Sequence, residues 1–294
     1  MFIITGPTGN VGSEVVRQLM KHDPPLPFRT VSRRPEIIQA EFEQAIESVK
    51  FDFADPSSWS TALEDVQILF LVLSQGSPNA ARTRTIPFID AAISAGCQHI
   101  IFLSVPVGGT LKLVPHYTIE RYLERCSIAY TILRPGYFMQ NFIRKAPTHG
   151  IDIATRHEIF IPAGKGSMAL IDTRDIAEMV VRIAEQPAPH KNRAYNLTGP
   201  QLLNFFEIAS IFSEVLQTPI RYTHPSLPRF WWRMHRRGVS LFLIIFMSIE
   251  YSATRLHLGE EKTETLQQIL GHPGTTLAQF IQNNRQRWIT QSWT

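Results

Sequence analysis

The stretch that decides the fold is Gly6-Pro7-Thr8-Gly9-Asn10-Val11-Gly12, which follows an apolar run from Phe2 to Thr5 and opens an amphipathic segment. A strand, a glycine-rich turn and a helix in this order let a diphosphate approach the backbone at the positive end of the helix dipole. The spacing is G-x-x-G-x-x-G rather than the commoner G-x-G-x-x-G, but its context indicates the same use. We therefore expect a dinucleotide phosphate to be bound by Gly6, Thr8, Gly9, Asn10, Val11 and Gly12.

The rest of the first half continues the alternation of strands and helices. Short β-branched runs predict strands, and apolar stripes such as Val11, Val15 and Leu19 predict the crossover helices between them. The predicted strands are Phe2 to Thr5, Phe28 to Ser32, Val49 to Phe53, Ile68 to Leu73, His99 to Ser104 and Tyr130 to Leu133. This pattern predicts an α/β fold with a doubly wound parallel sheet of the Rossmann type.

After Gly136 the pattern loosens into short strands, helices and proline-containing loops, as an added substrate-binding lobe would. We expect a dinucleotide-binding domain over residues 1–150 and a smaller C-terminal α/β substrate lobe over residues 151–294. Part of the segment 165–200 reads as a strand followed by a helix, so we expect it to pack back onto the first domain.

Composition excludes several classes of protein. The chain has 294 residues, 44% of them hydrophobic and 18% charged, so it can bury a sizeable core and is not expected to be disordered. A formal charge of +4 is too small to indicate binding to nucleic acid. Cys97 and Cys126 cannot make a disulfide framework or a zinc site by themselves, and no histidine pair has a metal-binding spacing, so no metal is expected.

Two segments bear on location. The N-terminus has no basic region, long apolar stretch or cleavage site, so a cytoplasmic location is expected. The apolar run from Val239 to Ile249 is about half as long as the ~20 residues that a membrane-spanning helix requires. We expect this run to be a buried helix, with membrane association as the alternative. No membrane insertion is expected, and the oligomeric state stays open.

The end of the second predicted strand indicates which dinucleotide is bound. NAD-preferring sites usually place an acidic residue there to bind the ribose 2′-hydroxyl, but this sequence has Arg33 and Arg34. An arginine fork matches a 2′-phosphate, so we expect NADP(H) in preference to NAD(H), with Arg33 the stronger candidate. The alternative is that both arginines are solvated loop charges.

Further cofactor contacts are expected where other strands end. The carboxylate of Asp52 can accept a hydrogen bond from the adenine amine, or it can cap a turn. The apolar run after the sixth strand can form the floor of the nicotinamide site, since ligands bind beyond the carboxyl ends of parallel strands. The expected contacts are Asp52, Phe53, Leu73, Ser74, Pro135, Gly136, Tyr137 and Phe138.

Several motifs together carry a resemblance to a known family. They are Thr5-Gly6-x-Thr8-Gly9-x-x-Gly12, Arg33-Arg34-Pro35, Thr131-Ile132-Leu133-Arg134-Pro135-Gly136, Asp172-x-x-Asp175-Ile176-Ala177, Tyr195-Asn196-Leu197-Thr198-Gly199-Pro200 and Leu270-Gly271-His272-Pro273 ahead of Phe280. On these motifs the chain resembles the NmrA-like group of atypical short-chain dehydrogenase/reductases over nearly its whole length. The resemblance implies a Rossmann domain that binds NAD(P) and a smaller C-terminal lobe that closes a substrate cleft.

The chain departs from typical short-chain dehydrogenases at the catalytic helix. The family pattern places a Tyr-x-x-x-Lys pair before a glutamate, here Glu120, and counting back in steps of four puts His116 at the lysine position and Lys112 at the tyrosine position. The resemblance to quinone and dye reductases, which show a similar His-x-x-x-Glu pattern, favours His116 as the catalytic residue. Ser104 matches the family serine only approximately. The alternative is Tyr117, because Tyr117-x-x-x-Arg121 mimics the spacing one residue out of register.

Three further groups of residues have alternative interpretations. Tyr137, Met139 and Asn141 are expected to contact an aromatic substrate. For Tyr137 and Met139, the alternative is that they are packed in an interdomain core. Asp172 and Asp175 precede a helical stripe and are expected to act as helix capping and first-turn charges rather than as an acid and base pair. The basic and aromatic segment Arg229 to Arg237 is expected to form a lid helix, with nucleic-acid binding as the alternative.

Two functions remain after these considerations. The first is an NADP(H)-dependent oxidoreductase that transfers hydride to a small apolar aromatic or conjugated acceptor, for which a protein acid is optional because the proton can come from water. The second, implied by the resemblance, is a redox sensor that binds NADP without turnover and regulates a partner. The missing Tyr-x-x-x-Lys pair favours the sensor, and the apolar run Tyr137 to Phe142 favours the enzyme.

Overall fold

The structure is a computed structural model that describes residues 1–42, 46–73, 78–106, 112, 114–143 and 149–289. Packing of the backbone divides the chain into two units. Unit 1 consists of Met1–Pro135 and Thr173–Leu197, and unit 2 consists of Gly136–Asp172 and Thr198–Thr294.

The strands of the described residues are β1 (Phe2–Thr5), β2 (Phe28–Ser32), β3 (Ser48–Lys50), β4 (Ile68–Val72), β5 (His99–Leu103), β6 (Ala129–Pro135), β7 (Glu158–Ile159), β8 (Ser167–Ala169), β9 (Arg193–Leu197), β10 (Leu202–Asn204) and β11 (Arg221–Tyr222). The α-helices are α1 (Gly12–Leu19), α2 (Pro35–Phe42), α3 (Trp59–Ala62), α4 (Pro78–Ala80), α5 (Ile86–Ser94), α6 (Pro115–Leu123), α7 (Gly150–Arg156), α8 (Thr173–Glu185), α9 (Phe205–Leu216), α10 (Leu227–Arg236), α11 (Leu241–Arg255), α12 (Thr265–Leu270), α13 (Leu277–Asn283) and α14 (Gln286–Ile289).

Unit 1 is built on one parallel sheet with the strand order β3-β2-β1-β4-β5-β6-β9. The chain leaves β1 toward β2 on one side and returns through β4 on the other, so the strand order reverses beside β1. Open α/β sheets bind ligands in the crevice at this point, beyond the carboxyl ends of the strands. The predicted fold is confirmed: this is a Rossmann-type α/β fold.

The hydroxyl of Thr5 joins the ends of two central strands. It donates a hydrogen bond to the carbonyl of Phe70 at 3.0 Å and accepts one from the backbone N–H of Val72 at 2.8 Å. Thr5 is fully buried, so an apolar replacement would leave both backbone groups of β4 without this partner. This residue therefore fixes where β1 ends and the glycine-rich turn begins.

Unit 2 contains two small sheets packed against helices. β10 pairs with β8 in antiparallel fashion, and β11 pairs with β7 in parallel. Its core contains the aromatic rings of Phe142, Phe205, Phe212, Phe230 and Phe280, among other residues. The side chain of Asn204 caps α9 by accepting hydrogen bonds from the backbone N–H groups of Phe206 and Glu207, and Glu207 completes a capping box.

The division of the chain differs from the sequence expectation in where the first unit ends. β6 continues to Pro135, and Gly136 already belongs to unit 2 rather than to a domain that ends at residue 150. Thr173–Leu197 is part of unit 1, where β9 pairs with β6 in register Thr131↔Arg193. No residue pattern after β6 indicates that the chain passes directly from the sheet into unit 2.

The expectation of a buried helix from Val239 to Ile249 is wrong. α11 buries one face, with Ile244, Met247 and Tyr251 in the core of unit 2. The opposite face, formed by Leu241, Phe242, Ile245, Phe246 and Ile249, is exposed. The helix is apolar on both faces, so the hydropathy of the sequence could not indicate that one of them faces solvent.

Among the residues that the structure describes, no helix is both long enough and apolar enough to cross a membrane.

Replacing Thr5 with valine keeps the shape of the side chain but removes both hydrogen bonds to β4. We expect Thr5→Val to lower the free energy of unfolding by about 1 to 3 kcal/mol, the cost of leaving buried polar groups without a partner. Urea denaturation measures this change. Thr61→Val, at an exposed position of α3, is the matched control and should change stability little. Equal stability of the two variants would contradict the bridging role of Thr5.

Candidate functional site

The turn after β1 depends on close approaches that only glycine permits. Gly6 has φ +61°, in the left-handed region, and the backbone N–H of Gly9 donates to its carbonyl at 3.0 Å. A Cβ on Gly12 would lie 2.2 Å from that same carbonyl oxygen. The first turn of α1 therefore packs directly on the end of β1, which a side chain at position 12 would prevent.

The turn presents an open helix N-terminus. Gly6, Thr8 and Gly9 are exposed, and Asn10 is half-buried. Val11, the N-cap residue of α1, makes no side-chain capping hydrogen bond; in the first turn, the N–H of Ser13 donates to the carbonyl of Gly9 at 3.0 Å. An uncapped N-terminus at the positive end of the helix dipole is suited to bind a phosphate.

Arg33 and Arg34, which follow β2, are both exposed. Because β2 pairs in parallel with β1, they follow their strand at the same edge of the sheet as the glycine turn. The backbone N–H of Arg34 donates to the hydroxyl of Ser32 at 3.2 Å, which shapes the turn between β2 and α2. Neither guanidinium forms an ion pair with a carboxylate of the described residues. Their charges are therefore available to an anionic ligand.

The residues after β3 support a structural role for Asp52. Its carboxylate accepts a hydrogen bond from the backbone N–H of Ala54 at 2.9 Å, the geometry of a turn cap. One oxygen still has capacity for a second donor, so the adenine contact stays a prediction. The ring of Phe53 packs on Phe51 and Phe88, with centroids 4.8 Å and 5.2 Å apart. Leu73 is half-buried directly after β4, whereas Ser74 lies outside the described residues.

A buried carboxylate in α6 bonds to residues at the ends of β5 and β6. Glu120 is fully buried, accepts a short hydrogen bond from the hydroxyl of Ser104, and forms a bidentate ion pair with Arg134 at 3.1 Å and 2.5 Å. This pair raises the pKa of Arg134. Sequence reasoning missed the role of Arg134, although this residue lies in the motif Thr131 to Gly136; its contact with Glu120 depends on the packing of α6 beside the end of β6.

His116 lies one helical turn before Glu120 and stacks on Phe102, with ring centroids 5.9 Å apart. Burial lowers its pKa to about 4, against the ordinary value of 6.5, and the charge of Glu120 opposes that change only partly. The imidazole is therefore neutral at pH 7. Its Nδ1 atom is buried and has no hydrogen-bond partner among the described residues, so it is available to a bound ligand.

The alternative residues of the catalytic helix are placed differently. Tyr117 is half-buried, and the guanidinium of Arg121 lies over its ring at 5.7 Å. Lys112 is exposed. The pair at Tyr117-x-x-x-Arg121 is thus a cation–π contact along the helix, a common surface interaction that by itself indicates no catalysis.

The residues after β6 belong to the core of unit 2. The hydroxyl of Tyr137 is 2.9 Å from that of Tyr251, which in turn is 2.6 Å from Nε2 of His149. Burial raises the pKa of both tyrosines and lowers that of His149 to about 4, so the chain of three groups is uncharged at pH 7. Met139 packs in the same core.

The backbone around Tyr137 is held by Ile171. The N–H of Met139 and the carbonyl of Tyr137 both bond to the backbone of Ile171 at 2.9 Å, and Phe138 forms a parallel bridge to it. Phe138 and Asn141 are half-buried. Of the substrate candidates, Asn141 therefore has the most accessible polar group.

The two aspartates near α8 have structural partners. Asp172 accepts a hydrogen bond from the side-chain amide of Gln140 at 2.8 Å, and Asp175 lies in the first turn of α8. Negative charge in a first helical turn is stabilising.

The parallel sheet, its reversal point beside β1 and the glycine turn define a Rossmann-type protein of the dinucleotide-binding class. The family model of the NmrA-like family matches residues 1–231, and the chain belongs to that family.

Comparison with individual proteins extends the likeness over nearly the whole chain. The chain is 29% identical over 287 residues to an NAD(P)H azoreductase of Xenophilus azovorans, covering 95% of this chain and 96% of that protein. The crystal structure of the NADPH-dependent quinone oxidoreductase of Escherichia coli, complexed with NADPH, superposes with a TM-score of 0.84 at 27% identity, covering 97% of this chain and 100% of the other. NmrA, a negative transcriptional regulator in complex with NAD, shares the fold alone, with a TM-score of 0.70 at 16% identity over 96% of this chain and 94% of the other.

The depressed pKa of His116 can be checked by histidine NMR titration, with its signal assigned from a His116→Gln variant. We expect a midpoint near pH 4, because burial disfavours the imidazolium. A midpoint near the ordinary value of 6.5 would contradict the burial of this ring. The signal of His224, an exposed histidine, is the internal control.

Proposed function

We propose that this chain is an NADPH-dependent reductase of small aromatic or conjugated molecules. The observation that carries the proposal is the full-length likeness to an NAD(P)H azoreductase at 29% identity, together with the open phosphate-binding turn of unit 1. NADPH would be held by the glycine turn at its diphosphate and by Arg33 and Arg34 at its 2′-phosphate. NAD(H) would bind less tightly, because its 2′-hydroxyl offers these arginines no charge.

The fit of the cofactor rests on three features of unit 1. The close approach of Gly12 to Gly6 leaves no side chain in the way of the diphosphate. Two exposed arginines follow the strand next to β1. The buried Nδ1 of His116 has no partner among the described residues. The contacts predicted for Asp52, Phe53, Leu73, Ser74, Pro135, Gly136, Tyr137 and Phe138 stay predictions.

The bound nicotinamide would supply hydride, and the protein would supply orientation. His116 is neutral at pH 7, so its proposed role is to hydrogen-bond the cofactor or substrate rather than to act as an imidazolium acid. Ser104 and Arg134 engage Glu120, which fixes the helix that carries His116. A quinone or azo acceptor can take its proton from water, so the reaction needs no protein acid of ordinary strength.

Contacts between substrate and Tyr137, Met139 or Asn141 also stay predictions. Tyr137 and Met139 lie in the core of unit 2. Their proposed contribution is therefore to the shape of the substrate site rather than to proton transfer. This fits the pKa of the Tyr137 phenol, which burial raises further from neutrality.

Cofactor preference tests the role of Arg33. Arg33→Ala should weaken NADPH binding by about tenfold to a hundredfold through the loss of a charge-assisted contact, and leave NADH binding nearly unchanged. Isothermal titration measures both. Arg125→Ala, at an exposed arginine of the same unit, is the matched control. An equal loss for the two dinucleotides would contradict the contact with the 2′-phosphate.

Turnover tests the reductase itself. NADPH oxidation, followed by absorbance with a panel of quinones, azo dyes and enones, should show activity with at least one class. Tight NADPH binding without oxidation across the panel would contradict the enzyme and support the dinucleotide sensor. With an active acceptor, His116→Ala should lower kcat by about tenfold, the cost of one hydrogen bond, whereas Tyr117→Phe should not. The reverse result would assign the role to Tyr117.

A further inference from the structure

Unit 2 has an exposed apolar face on α11, and the neighbouring helix α10 carries exposed arginines. On α11 this face consists of Leu241, Phe242, Ile245, Phe246 and Ile249, which lie on one side of the helix because they repeat at intervals of three and four. Phe242 is 76% exposed and Ile249 is 66% exposed. This set of five residues, together with Trp231 and Trp232 of α10, is called the apolar face below.

The two helices form one continuous surface. The indole N–H of Trp231 donates to the hydroxyl of Ser248 at 2.8 Å, which holds the ring against α11. Phe230 packs edge-on to Tyr251 beneath, at 5.8 Å between centroids. Trp232 is 62% exposed, and Leu256 and Leu258, which follow α11 in the chain, are exposed as well. Scattered exposed apolar residues are ordinary, but a contiguous set of this kind marks an interaction site.

The charges that α10 and α11 themselves carry are mostly positive. Between Leu227 and Leu258 the sequence has five arginines, of which Arg233 and Arg237 pair with Asp152. Arg229 and Arg236 are exposed, and neither forms an ion pair with a carboxylate of the described residues. Glu250 is the single acidic residue of this segment, and burial raises its pKa to about 7, so it offsets little of the positive charge.

This combination discriminates between possible partners. A second copy of the chain would bring the arginines of two α10 helices together around a two-fold axis, which is electrostatically unfavourable. An anionic lipid surface offers apolar chains to the face and negative headgroups to the arginines of α10. Tryptophan is enriched where a protein meets the headgroup region, and arginine beside Trp and Phe is typical of helices that lie in the plane of a membrane surface.

We propose that α10 and α11 dock the protein on an anionic phospholipid surface, with the apolar face buried in the interface and Arg229 and Arg236 at the headgroups. The helices lie on the membrane and do not cross it. The proposal is independent of the reductase activity, because it rests on unit 2 alone.

Vesicle co-sedimentation of the full chain tests this docking, with phosphatidylglycerol vesicles as the probe and phosphatidylcholine vesicles as the neutral comparison. We expect binding to the anionic vesicles, weaker binding to the neutral ones, and loss of the difference at high salt. Equal partition between the two kinds of vesicle, or no binding to either, would overturn the proposal.

Two variants separate the contributions. Phe242→Gln/Phe246→Gln/Ile249→Gln removes apolar contacts, and Arg229→Glu/Arg236→Glu reverses the charge of two exposed residues of α10; each should lower the vesicle partition coefficient by at least about tenfold. The matched controls are Leu202→Gln/Ile289→Gln and Arg125→Glu/Arg193→Glu, which change exposed residues elsewhere and should retain most of the binding. An equal loss in the controls would overturn the assignment to this face.

Two measurements without vesicles complete the test. Thermal melting and NADPH affinity should be unchanged in both docking variants, which shows that they fold. Sedimentation velocity should give the same mass for the wild type and for the apolar variant. A wild-type dimer that the apolar variant dissociates, with no vesicle binding, would assign the face to a second copy of the chain and overturn the proposal.

Discussion

The contact between the carbonyl oxygen of Gly6 and the α-carbon of Gly12 is the constraint on which unit 1 depends. A single added carbon at position 12 would meet that oxygen at 2.2 Å. The contact sets the start of α1 on the end of β1, and the hydroxyl of Thr5 ties the same strand end to β4. The helix N-terminus is thereby held open at the point where the order of the parallel strands reverses, which is where a dinucleotide would bind.

Much of unit 1 could be predicted from the sequence because its signals are local. Strand, glycine turn and helix follow one another within Phe2 to Leu19, and the β-branched runs mark the remaining central strands to within a few residues. The position of Arg33 and Arg34 after β2 follows from the same reading. These features depend on backbone geometry and periodicity, which a single sequence carries.

Other features depend on tertiary packing and could not be predicted. The ion pair of Glu120 with Arg134 requires α6 to pack beside the end of β6. The low pKa of His116 depends on its burial against Phe102. Hydropathy marked Val239 to Ile249 as apolar but could not tell which face of α11 meets the core, so the exposed face was missed. The end of the first unit at Pro135 likewise had no local signal.

The proposed binding of NADPH depends most on contact between its diphosphate and the backbone of the glycine turn. The most direct measurement is the ¹H–¹⁵N spectrum of protein labelled with ¹⁵N-glycine, recorded as NADPH is added. We expect the amide signals of Gly9 and Gly12 to shift strongly, while that of Gly96, which precedes β5 at the edge of the sheet where the strands begin, does not. Unmoved signals of Gly9 and Gly12 at saturating NADPH would contradict it.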